Sequence, residues 1–204
     1  MEREALRGGV QRTDLAMNDG RTIRYYDQGE ISRTAQDLRS PDASAGIGEL
    51  RLDPLVNEWV AVASHRQNRV FNPPKSLCPL CPSTQELHSE IPDSGYNVVV
   101  LDNKNPALNQ VNGSWQLPEL DGPNTPSVAG VGKCEVVVFS DQHDGYFGSQ
   151  SEDRMRLVML AWVDRTEKLK KIANIVQVFP FENRGEEVGV TLSHPHGQIY
   201  AYSY

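Results

Sequence analysis

The stretch Ser193-His194-Pro195-His196-Gly197-Gln198 decides the reading of this chain. Pro195 lacks an N–H and biases His194 toward extended geometry, so the segment is not helical. Along an extended chain residues two apart share a face, which puts His194, His196 and Gln198 on one side. Gly197 falls between them, where its missing Cβ leaves room for a bulky ligand to approach the backbone. Two imidazoles and an amide on one face suit the handling of a phosphoryl group. One histidine can attack or hold a metal, and the amide can hold oxygens without offering a strong acid. A His-Pro-His string also occurs as a turn with two solvated histidines, so the neighbouring motifs must decide.

Upstream, Phe181-Glu182-Asn183-Arg184-Gly185 has the composition of a turn, and a strand over 188–192 leads from it to His194. A strand is expected over 175–179, and before it a long helix over 152–173. Ser149 with Glu152 makes a capping box there, with Ser151 the alternative N-cap. Met155, Met159, Trp162, Leu169 and Ile172 recur at helical spacing as its core stripe, with Arg154, Asp164, Glu167, Lys168 and Lys171 on the polar side. Cys134–Phe139 reads as a strand in which Cys134 is a small buried residue, and Ser140-Asp141-Gln142-His143 follows at its end. Residues 109–132 are rich in turn formers and read as a surface excursion. A further strand over 97–101 runs into Asn103-Lys104-Asn105-Pro106-Ala107-Leu108.

Cys78-Pro79-Leu80-Cys81 brings two thiolates within reach of one tetrahedral ion, and zinc accepts sulfur and imidazole together. The spacing alone also fits a redox pair, but its proline-rich flanks do not resemble the βαβ setting of such pairs. Strands at 50–54 and 58–63, joined by a turn around Asn57, precede Ser64-His65-Arg66-Gln67-Asn68-Arg69. The chain thus divides into a polar arm and linker, residues 1–48, holding one strand at 22–26, and a compact domain, residues 49–204.

A chain of 204 residues is long enough to bury a real core. Its net charge of −7 argues against nucleic acid or an anionic membrane as the partner. No apolar run reaches the roughly 18 residues of a membrane helix. Three cysteines, two of them in a knuckle, make no disulfide framework, which points to a reducing cytoplasm.

His194-Pro195-His196-Gly197-Gln198 resembles the active-site signature of the galactose-1-phosphate uridylyltransferases, a branch of the histidine-triad superfamily. Six further strings occur in that family's order: Asp53-Pro54-Leu55 followed by Trp59, His65-Arg66-x-x-Arg69, Cys78-x-x-Cys81, Asn103-Lys104, Ser140-x-x-His143, and Phe181-Glu182-Asn183-Arg184-Gly185. Asn105 stands where the family string has an aromatic residue.

The resemblance covers residues 49–204, about the N-terminal half of such an enzyme. It implies an α+β fold, an antiparallel sheet backed by a long helix in the histidine-triad-like manner. It also implies transfer of UMP between UDP-glucose and galactose 1-phosphate through a covalent uridylyl-histidine. His196 resembles the nucleophile, while Arg66, Arg69, Asn103, Asn183 and Gln198 resemble substrate contacts. Cys78, Cys81, His143 and His194 resemble the ligands of a structural zinc. The family completes its subunit with a second, similar half. A C-terminal half-chain or a second copy is therefore expected to cover an unpaired apolar edge at the strand ending near Tyr202. Two other readings share the histidines: a nucleotide-sugar phosphorylase or adenylyltransferase, and a non-catalytic zinc-stabilised half.

Overall fold

A computed structural model describes residues 1–40, 48–66, 72–109 and 127–203. Arg69 and most of the turn-rich excursion lie outside the described residues. The fold class is α+β, as expected: two antiparallel sheets and one helix among the described residues.

The first strands are β1 (Glu2–Ala5), β2 (Val10–Ala16), β3 (Thr22–Gln28), β4 (Glu49–Asp53) and β5 (Glu58–Val62). They are followed by β6 (Val98–Asp102), β7 (Ser127–Ala129), β8 (Gly132–Val138), helix α1 (Glu152–Leu169), β9 (Gln177–Phe181) and β10 (His196–Tyr202). The main sheet has seven strands in the order β1-β2-β3-β6-β8-β10-β9, and the small one has the order β5-β4-β7. The β4–β5 turn closes at Asn57, which takes a left-handed φ of 55° as asparagine tolerates.

Residues 1–39 are not a polar arm beside this sheet. They supply three of its strands, and Tyr25 and Tyr26 of β3 are fully buried, one on each face. The difference from the polarity pattern has a physical cause. Charged residues on these strands face inward and meet partners far along the chain, so their polarity does not mark a surface. Arg12 donates to both oxygens of Asp164 on α1 at 3.0 and 2.9 Å, and Tyr26 Oη donates to Asp164 at 2.6 Å. Arg24 donates to Asp102 at 3.0 Å, and Arg165 makes a bidentate pair with Glu135 at 2.9 and 2.8 Å.

The same layer corrects the helix. Its buried side is Leu157, Val158, Ala161, Asp164, Arg165 and Leu169, whereas Met159 is exposed. Ser151 is the N-cap, its hydroxyl accepting from Arg154 N, and Ser149 belongs to the turn before it. The helix stops at Leu169, four residues short of the expected end. Tight bonds from Lys171 N to Lys168 O and from Ile172 N to Leu169 O close its last turn, and Asn174 turns left-handed at φ 69°.

Alternation along the strands divides the sheet into two faces. Val98, Val100, Val137, Ile199 and Ala201 pack under α1. Ile23, Tyr25, Val99, Leu101 and Val138 point the other way, where the Cys78–Cys81 segment covers part of them. The small sheet packs at the end of that second face through Leu50, Leu108 and Cys134, with Tyr200 and Tyr202 against them.

β10 is paired on both sides, with β8 and with β9, so no unpaired edge follows the motif. The edge on this side of the main sheet belongs to β9, whose Pro180 removes one ladder donor and whose Phe179 faces solvent. The expected strand over 188–192 is absent; a short 3-10 turn at Glu186–Val188 stands at its start.

Candidate active site and metal centre

The knuckle is made by local geometry: a 3-10 turn at Lys75–Leu77 leads into Cys78, and Cys81 N bonds back to Cys78 O. His143 comes from the loop after β8, and His194 from the bend before β10. Their four ligand atoms all lie within 4.8 Å of one another. Cys81 Sγ is 3.3 Å from His143 Nδ1 and 3.5 Å from His194 Nδ1, and Cys78 Sγ is 3.9 Å from His194 Nδ1. A tetrahedral ion with bonds of ~2.3 Å to sulfur and ~2.05 Å to nitrogen separates such atoms by about 3.6 Å, so the quartet has the dimensions of a metal cage.

The surroundings prepare these atoms. His194 Nε2 donates to the Ser140 carbonyl at 2.8 Å, which fixes the tautomer and turns the Nδ1 lone pair toward the thiols. Tyr96 Oη donates to that carbonyl at 2.9 Å and to the Leu80 carbonyl at 3.1 Å, tying the knuckle to the end of β8. Burial pushes the His194 pKa down to about 4, against the opposing pull of the Ser140 carbonyl, so its ring is neutral at neutral pH. Burial, with the Cys78 thiol beside it, pushes the Cys81 thiol up to about 12. A bound cation would reverse that by stabilising thiolate.

His196 opens β10. Its Nδ1 donates to the His194 carbonyl at 2.7 Å, a tautomer that puts the lone pair on Nε2. His196 and Gln198 share the second face of the sheet and line a cleft of about 400 Å³. His194 does not line that cleft: β10 starts only at His196, and the bend before it takes the His194 ring to the cysteines. Gly197 differs from expectation too. An added Cβ would meet the Phe181 carbonyl oxygen at 2.7 Å and the Phe139 ring at 2.9 Å, so packing, not a ligand, uses the space.

Arg66 lines the cleft and donates to Tyr200 Oη at 3.2 Å. Asn103 is buried at its floor, its Oδ1 accepting from Asn105 N at 2.9 Å. Asn183 is exposed at the rim, between the cleft and an adjoining hollow of about 220 Å³. Five of the six expected catalytic and substrate residues therefore border one cleft, and the sixth, Arg69, is outside the described residues. Sequence reasoning missed Arg21, Glu90 and Phe181 in its lining. Asp19-Gly20 marks a turn just before Arg21, but nothing local shows that this turn reaches the cleft.

The galactose-1-phosphate uridyl transferase N-terminal domain model matches residues 40–204. The chain belongs to that family. A galactose-1-phosphate uridylyltransferase of Streptomyces lividans is 39% identical over 196 residues, covering 96% of this chain and 49% of the relative. One of Thermotoga maritima is 37% identical over 156 residues, covering 76% of this chain and 47% of its own. An ADP-glucose phosphorylase of Arabidopsis thaliana is more distant, at 27% identity. A solved uridylyltransferase structure superposes with a TM-score of 0.57 at 26% identity, covering 76% of this chain and 46% of that one. The chain spans about half the length of the curated relatives it matches. Among the described residues no helix is long and apolar enough to cross a membrane.

Proposed function

We propose that this chain is the nucleotide-handling half of a galactose-1-phosphate uridylyltransferase that works by double displacement. The observation that carries the reading is His196: a bond from Nδ1 to the His194 carbonyl, with Gln198 beside it in the cleft. Nε2 of His196 attacks the α-phosphorus of UDP-glucose. The bond from that phosphorus to the bridging oxygen breaks, and glucose 1-phosphate leaves with the electron pair. The uridylyl group stays on nitrogen. A phosphate oxygen of galactose 1-phosphate then attacks the same phosphorus, and UDP-galactose leaves His196 neutral again.

The Gln198 amide holds non-bridging oxygens as charge develops and supplies no acidic proton, which suits transfer to a sugar phosphate over hydrolysis. Arg66 suits a phosphate because its planar fork donates two parallel hydrogen bonds, and Arg69, outside the described residues, is assigned the same role. Asn103 and Asn183 complete the substrate contacts. The metal at Cys78, Cys81, His143 and His194 is zinc, since two thiolates and two imidazoles in a closed set suit that ion in a structural role. A C-terminal half-chain or a second copy completes the sugar-phosphate side, and a reducing cytoplasm keeps the thiols available.

The test is incubation with UDP-glucose labelled in the uridylyl group, with and without the C-terminal half of a relative. Wild type takes up acid-labile label and gives it to galactose 1-phosphate. His196→Ala takes up none yet keeps its metal. Equal labelling of His196→Ala refutes the mechanism, and labelling from ADP-glucose in preference to UDP-glucose makes the chain a phosphorylase-type relative instead.

A further inference from the structure

The cleft has a second polar end that the reading above leaves unused. Arg21 sits at the tip of the β2–β3 hairpin, outside residues 40–204 that the family model matches, and Glu90 lies on the segment after the knuckle. Both line the cleft, although each is largely buried. The two form an ion pair, and each is braced from behind. Arg21 donates through Nε and Nη2 to Asp19 and through Nη1 to the Asp102 carbonyl at 2.9 Å. Glu90 also accepts from Arg39, which is itself bound to Asp37. The pair is therefore held rigid before any ligand arrives.

Sheet register shows what lies between this pair and His196. Ile23 stands opposite Leu101, Leu101 opposite Val136, and Val136 opposite Gln198. Arg21 is two residues before Ile23 and shares its face. At ~4.8 Å per strand, β3 lies about 14 Å from β10. Over that span the cleft has an apolar floor, Leu101 and Val136, and an apolar wall, Pro79 and Leu80. A flat ring lying on this floor would have its phosphate toward His196 and its far edge toward Arg21 and Glu90.

The bonds above use four of the five N–H groups of Arg21, leaving one on Nη1 for a ligand. Glu90 accepts one bond on each oxygen and retains lone pairs. The pair thus presents a donor beside an acceptor. We propose that Arg21 and Glu90 read the pairing edge of a uracil base. Arg21 donates to the O4 carbonyl oxygen and Glu90 accepts from N3–H. This rests on the nucleotidyl-transfer reading and assigns the base end of the same cleft. Cytosine fails the match, because its unprotonated N3 faces the Glu90 carboxylate and its amino group faces the guanidinium.

The experiment is calorimetric titration of the metal-loaded 204-residue chain with UMP, CMP and N3-methyl-UMP. Wild type should bind UMP about tenfold or more tightly than either analogue, the usual consequence of leaving a largely buried polar group unmatched. Arg21→Gln and Glu90→Gln should each narrow the UMP-to-CMP ratio toward one, because an amide can donate or accept. Equal binding of UMP and N3-methyl-UMP by wild type overturns the assignment, and that comparison does not depend on any variant folding. Folded variants that keep the wild-type ratio overturn it as well. A wild-type chain that binds no UMP overturns this inference and the proposed function together, whereas UMP binding without discrimination overturns the inference alone.

Discussion

Replacing Gly197 by alanine tests where the space beside β10 goes. The new Cβ would lie 2.7 Å from the Phe181 carbonyl oxygen, and 2.9 and 3.3 Å from two carbons of the Phe139 ring. Ordinary carbon contacts lie at ~3.5–4.0 Å, so neighbours must retreat by roughly 0.6 Å or more. Neither yields easily. The carbonyl belongs to β9, paired to β10 at Gln198–Phe181, and the Phe139 ring is held edge-on by Phe147 at 5.6 Å and Trp162 at 6.2 Å. Overpacking a closed site costs about 1–3 kcal/mol, and two rigid neighbours put this one near the top. Lower entropy of the unfolded alanine chain returns about 0.4–1 kcal/mol. The net expectation is a loss of about 2 kcal/mol. Urea unfolding of the metal-loaded chain, followed by tryptophan fluorescence, should show a lower midpoint at unchanged slope. Phe139→Leu in the Gly197→Ala background should cost less than it does alone, because it removes the ring the methyl strikes. An unchanged midpoint with lost nucleotide affinity would refute the packing argument and restore Gly197 as the place where a ligand approaches.

Three further outcomes follow from the charged layer and the cage. Metal analysis should find about one zinc per chain; Cys78→Ser and His194→Ala should lose it, and a folded wild-type chain without metal would refute the assignment. Asp164→Ala removes one of three carboxylates around the buried Arg12 guanidinium, leaving Glu4 and Asp14, and takes the acceptor from the Tyr26 hydroxyl, so urea melts should show a loss of about 1–3 kcal/mol. The paired change Arg12→Met with Asp164→Leu should recover much of it, and additive losses would refute the account. Although burial opposes it, Arg24 and Lys133 hold the Asp102 carboxyl below its ordinary value. A depressed carboxyl contributes stability above the unfolded value near pH 4, lost as pH falls through the lower folded value. Asp102→Asn should therefore be less stable at pH 7 and lose less on acidification, and parallel pH–stability curves would count against it.

What was legible in the sequence was set by covalent geometry and short spacing. Pro195 keeps the motif out of a helix, Cys-x-x-Cys closes its own knuckle, and Asn57 makes the β4–β5 turn without outside help. What was not legible depends on partners far along the chain. Asp164 looks like a surface residue until Arg12, 152 positions away, is placed against it, and Glu135 likewise until Arg165 is. A polarity pattern treats such residues as solvent-facing: it places Trp162, Leu169 and Ile172 in the core, where they pack, but leaves Asp164 outside and makes the N-terminal strands an arm. The alternation Ile23-Arg24-Tyr25-Tyr26 already contained the apolar face that packs on Val99 and Leu101. The cleft shows the same division: His196 and Gln198 follow from their spacing, whereas Arg21 enters only through strand order.

His194 connects the cage to the chemistry. Its ring Nδ1 faces the thiols and its Nε2 holds the Ser140 carbonyl, while its own carbonyl accepts from His196 Nδ1. The carbonyl can keep its bond to His196 only if the bend before β10 is fixed, and the side chain that fixes the bend is the one aimed at the two cysteines. On the proposed function, a structural ion thus acts on the nucleophile without touching substrate, through the main chain of one residue. That explains the merit of ligand, proline and nucleophile in immediate succession. Pro195 leaves the linking peptide little freedom, so the position of the cage is transmitted to the ring two residues on.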